Sequence, residues 1–118
     1  MSLAANAVIT LIALLHVYIL VLEMFLWDKP AGRRAFGMTQ EMATATKALA
    51  ANQGLYNGFL AAGLFWGLWL GDAGQPVKVF FLLCVLAAGI FGAATASRKI
   101  LFIQAVPAAI GLALVGLA

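Results

Sequence analysis

Four apolar stretches, at 3–27, 48–70, 77–96 and 100–116, fill nearly all of this 118-residue chain. A helical membrane span needs about 20 consecutive apolar residues. Hydrocarbon offers the backbone no outside hydrogen-bond partner, so such a stretch must satisfy its own N–H and C=O groups as a helix. Only 9% of the residues are charged, against roughly 25% in soluble domains. The expected fold is therefore all-α: a four-helix transmembrane bundle forming one integral membrane domain over 1–118.

The connections are short. Asp28, Lys29 and Pro30 stop the first span, and a polar connector runs from Ala31 to about Lys47. Thr39 is the expected N-cap of a helix that begins at Gln40 and runs into span 2. Gly71 to Pro76 reads as a turn, and Ser97, Arg98 and Lys99 as a tighter one. The first span lacks a basic leading segment and is too long for a signal peptide, so it reads as a retained helix.

The chain holds seven Lys and Arg. Six of them, Lys29, Arg33, Arg34, Lys47, Arg98 and Lys99, fall in the connections on one side of a four-span arrangement; Lys78 falls on the other. The positive-inside rule then predicts a multi-pass protein of the cell membrane with both termini outside the cytoplasm. Basic residues placed at membrane edges give no reason to expect a nucleic-acid partner. Arg33 and Arg34 suit anionic lipid.

Gly54 and Gly58, Gly63, Gly67 and Gly71, and Ala88, Gly92 and Ala96 give faces along which helices can approach closely. They predict bundle packing, a homo-oligomer interface, or both. Pro107 is expected to kink span 4 and release a carbonyl one turn earlier.

Ionisable residues inside a span are costly and point to function. Glu23 and His16, the only His, lie seven residues apart on one face of span 1, about 10 Å apart along the axis. Asn52, Gln53, Tyr56 and Asn57 crowd the first turns of span 2, and Gln104 lies one turn into span 4. All are expected in the cytoplasmic half, where they would line a polar cavity. Glu23 and His16 are the candidate catalytic residues; Asn52, Gln53, Tyr56, Asn57 and Gln104 are the candidate ligand-binding residues. One His and one Glu are too few ligands for a metal site unless subunits share them. No residue pattern names a cofactor. Cys84 is alone and has no His placed to activate it.

The strings HVYILVLEMFLW (16–27), KALAANQGLYNGFLAAGL (47–64) and QAVPA (104–108) resemble a family of small four-span membrane proteins of unknown function, found in bacteria and some fungi. The resemblance covers nearly the whole chain, and NQGLYNGFLA is its most specific part. His16, Tyr18, Glu23, Trp27, Asn52, Gln53, Gly54, Tyr56, Asn57, Gln104 and Pro107 match its pattern. The family carries no assigned activity, so the resemblance implies a site without naming its chemistry.

Three functions fit these residues. A cytoplasmic-side pocket would bind or transform a small lipophilic molecule with a polar head. A proton-coupled transporter or exporter subunit would use Glu23 as its coupling carboxylate. A scaffolding membrane protein would need the polar residues for stability alone. The expected partners are the lipid bilayer, a lipophilic ligand and a second copy of the chain.

Overall fold

The structure, a computed structural model, describes residues 2–96 and 98–117. Ser97, in the predicted 97–99 turn, lies outside them. The elements are α1 (Leu3–Met24), α2 (Pro30–Phe36), α3 (Gln40–Trp69), a 3-10 turn (Gly71–Gly74), α4 (Gln75–Thr95), a π-helical segment (Leu101–Ala105) and α5 (Val106–Leu117). The fold is all-α, with no strand among the described residues.

Local chemistry sets these boundaries. Ser2 Oγ accepts a hydrogen bond from the Ala5 amide (3.1 Å) and caps α1. Thr39 Oγ1 does the same for the Met42 amide (3.2 Å), as predicted for the start of α3. Each hydroxyl satisfies an amide that has no partner within its helix.

Two features depart from the sequence reading. First, α1 ends at Met24, not Trp27, and the connector is not merely polar coil but contains α2. Pro30 opens α2 and Gly37, at φ 63°, closes it. Pro suits the first helical turn because its missing N–H would be unpaired there anyway. Gly accepts the left-handed conformation that ends a helix, and the Met38 amide completes that cap on Arg33 O at 2.9 Å. Second, the Pro107 distortion appears as a π turn just before it. The Val106 amide bonds back to Leu101 O. Pro107 can offer no N–H to Ile103 O, and the wider winding absorbs that loss.

α1 and the segment Gly71–Thr95 are each long and apolar enough to cross a membrane. Leu101–Leu117 is apolar but shorter. α3 is the longest helix, at 30 residues, but Asn52, Gln53 and Asn57 interrupt its apolar run.

Contacts group the chain into two compact units: Met1–Leu14 with Leu60–Ala118, and Leu15–Phe59. The first holds the apolar core. Ala5, Ile9, Ile12 and Ala13 from α1, Leu64 from α3, Leu82 and Val85 from α4, and Ala108 and Val115 from α5 are buried together. Glycine brings these helices close. A Cβ on Gly89 would lie 2.6 Å from the Ala105 amide nitrogen, so α4 meets the π segment backbone to backbone. One on Gly67 would lie 2.8 Å from Lys78 Cγ.

In the second unit α1 runs along α3, and α2 closes its end. Trp27 Nε1 donates to Thr46 Oγ1 (3.0 Å). The Trp27 ring packs on Phe36, with centroids 4.7 Å apart. Lys47 pairs with Asp28 at 3.2 Å.

Candidate functional site

Among the buried α1 positions, Ala5, Ile9, Ile12, Ala13, His16 and Glu23 share one side, with Leu22 beside it. Steps of three and four residues keep them on one stripe. His16 is fully buried, and Glu23 nearly so. Tyr18 points elsewhere and is exposed.

On α3 the inward positions of the second unit are Ala43, Ala50, Gly54 and Asn57. Their small size sets the approach of α1. A Cβ on Gly54 would lie 2.6 Å from Met24 Cγ and 3.1 Å from Glu23 Cβ, and one on Gly58 2.6 Å from Leu20 Cδ1. The Gly54/Gly58 pair is thus an intramolecular α1–α3 contact. Across it, Asn57 Nδ2 donates to Glu23 Oε1 at 2.5 Å.

The polar partner of Glu23 is therefore a neutral carboxamide. Lys47, which could have drawn Glu23 to the surface, is paired with Asp28 instead. That bond, with the positive charge of Lys47 behind it, holds the Asp28 carboxyl below the usual carboxylate range. Glu23 lies in the last turn of α1, with its Cβ beside Gly54 of α3. His16 continues the inward stripe two turns further along α1 and has an interaction of its own.

The candidate ligand-binding residues are not all brought to this point. Asn57 is. Asn52, Gln53 and Tyr56 are exposed. Asn52 and Asn57 are five residues apart, which turns them about 140° from each other around the helix. Gln104 is half-buried on the π segment of the other unit, where it is engaged in an interaction. No group of three or more His, Cys, Asp or Glu side chains able to hold a metal occurs among the described residues. An open groove runs along Thr39, Gln40, Glu41, Thr44 and Ala45, at the start of α3.

One polar contact was missed at the sequence level. Lys78, counted there as the one basic residue of the opposite side, is fully buried, and its Nζ donates to Asn6 Oδ1 at 3.2 Å. The signal was present: Lys78, Leu82, Val85 and Gly89 follow the four- and three-residue spacing of a buried helix face, and all four are buried. Gly67 leaves the space that the lysine stem fills.

Residues 10–116 match the family model described as "Protein of unknown function (DUF1304)". The chain belongs to this family. It is also 29% identical over 96 residues to the "Uncharacterized protein YpaA" of Lactococcus lactis subsp. lactis (strain IL1403), covering 80% of this chain and 81% of that protein. No solved structure is a significant match. The resemblance drawn from His16, Glu23 and the 52–57 cluster, to a family without an assigned activity, thus agrees with the family match.

Proposed function

We propose that this protein crosses the cell membrane four times, as a single membrane domain, and binds the polar head of a small lipophilic molecule at Glu23. The observation that carries this reading is the Glu23–Asn57 pair, a carboxyl group held by a carboxamide between two apolar helices. A buried carboxyl in hydrocarbon is costly. Packing alone would be served as well by apolar residues of similar volume. Glu23 is the anchor or base, Asn57 its orienting donor, and His16 the proton partner further along the same stripe.

Four crossings agree with the element lengths. α1 and Gly71–Thr95 meet the length and apolarity of a span. α3, with 30 residues, is about 45 Å long, more than the roughly 30 Å of a hydrocarbon core. Of its carboxamides, Asn57 is the one that such a site uses. Leu101–Leu117 is near the shortest length that spans, about 17 residues. The basic residues then place both termini outside the cytoplasm.

Native mass spectrometry of gently extracted protein tests the site. The parent is expected to retain a small molecule that Glu23→Gln has lost. Equal retention by parent and variant would remove Glu23 from the role given to it.

The burial of Glu23 against a neutral partner supports a second reading, a proton-driven exporter with Glu23 as its coupling carboxylate. That reading expects gradient-dependent flux of lipophilic cations into proteoliposomes, lost in Glu23→Gln. Flux that is absent, or unchanged by the variant, would end it.

A further inference from the structure

α3 presents two faces of different chemistry. Its inner face is occupied, with Gly54 and Gly58 against α1, Gly63 against the Phe81 ring and Gly67 against Lys78. The helix-approach glycines of α3 are therefore used within the chain. Its outer face, over the first half of the helix, carries Ala48, Asn52, Tyr56 and Phe59, with Gln53 at the edge, and all five are exposed. The Asn52 and Gln53 side chains make no hydrogen bond among the described residues. Tyr56 and Phe59 lie side by side with ring centroids 6.1 Å apart.

Lys47 marks the polar end of this helix. Asn52 and Gln53 lie five and six residues beyond it, about 8–9 Å inward. In hydrocarbon a carboxamide without a partner is strongly disfavoured. Lipid tails supply none, so another protein segment must.

We propose that this face docks on the same face of a second copy of the chain, α3 against α3. The inference rests on the four-span reading, and the chemistry selects the occupant. Two copies with the same membrane orientation are related by a two-fold axis along the membrane normal, so each residue meets its own counterpart at equal depth. A carboxylate or an ammonium would repel itself there. A carboxamide holds both donors and an acceptor, so Asn52, on the face itself, pairs with its counterpart, and Gln53 borders the contact. No charged residue occurs in α3 between Lys47 and Trp69, so the facing surfaces carry no like-charge penalty. Tyr56 and Phe59 supply apolar contact beside the polar pair.

The test is disulfide trapping in native membranes of the full chain, with Cys84→Ala as background. Ala48→Cys sits on the proposed face and leaves the carboxamides intact. Ala94→Cys, exposed near the end of α4, is the control. Ala48→Cys is expected to give mostly dimer and Ala94→Cys mostly monomer. Adding Asn52→Leu and Gln53→Leu is expected to lower the Ala48→Cys dimer at least five-fold. Equal trapping at both positions, no trapping, or a dimer indifferent to the leucines would overturn the proposal. So would a monomer that retains a lipid-like molecule lost with Asn52→Leu, because that face would then hold a ligand. Labelling of Phe59→Cys by a water-soluble maleimide separates the two levels of failure. Fast labelling removes α3 from the hydrocarbon and takes the four-span reading down with the pairing. Protection without trapping removes the pairing alone.

Discussion

Glu23 and Asn57 meet because Gly54 and Gly58 let α1 lie close on α3, and the two sides of their hydrogen bond are not equivalent. Removing the carboxamide leaves a buried carboxyl without its donor, whereas Glu23→Gln keeps the shape and a hydrogen-bonding group. Asn57→Leu is therefore expected to destabilise the protein by about 1–3 kcal/mol, read as the loss of helicity on titration with denaturing detergent. Glu23→Gln should stay near the parent in that assay while losing ligand. A larger loss of stability in Glu23→Gln than in Asn57→Leu would reverse this assignment. Asp28 makes a second test. Its carboxyl is held below the ordinary value of about 3.9 by Lys47. The pair thus contributes stability above that ordinary value and loses it as pH falls through the lower value in the folded chain. NMR titration of the Asp28 carboxyl should show the depressed midpoint, and Lys47→Ala should raise it toward the ordinary one. An unchanged midpoint in Lys47→Ala would mean that something else holds the charge.

Among the elements, α4 and the π segment come closest, at Gly89 and Ala105. A methyl group on Gly89 would press on backbone atoms, which cannot turn away as a side chain can. Gly89→Ala is expected to cost about 1–3 kcal/mol through overpacking, although alanine is the better helix former. Gly116→Ala, with open space around it, should cost nothing. Thermal denaturation in detergent compares the two, and equal midpoints would contradict the contact. The start and end of α3 were legible, since Thr39 as N-cap and Gly71 as terminator act through local chemistry. α2 was not, because Pro30 and Gly37 serve turns as readily as helix ends. The π turn was anticipated only as a kink at Pro107, since sequence shows the missing N–H but not how the chain takes up the loss.

For the whole molecule, helix type followed from apolar run length, but the direction each helix faces did not. The 52–57 cluster reads as one polar site along the sequence, yet its members divide between two faces of α3. The ridge of Ala43, Ala50, Gly54 and Asn57 could have marked the inner one. The pairing of Glu23 with Asn57 was not readable, because it depends on the depth at which α1 meets α3. Lys78 shows the same limit: its sign and position suggest a charge at the membrane edge, and only its helix face shows that it is buried. The claim on which the rest depends is that the chain crosses the bilayer four times with Glu23 inside it. Side-specific labelling of single cysteines in sealed vesicles, with Cys84→Ala as background, tests it most directly. Ala35→Cys and Arg98→Cys should react from the cytoplasmic side, and Ala73→Cys only from the other. Labelling of Ala35→Cys and Ala73→Cys from the same side would mean that α3 does not cross, and would contradict the account.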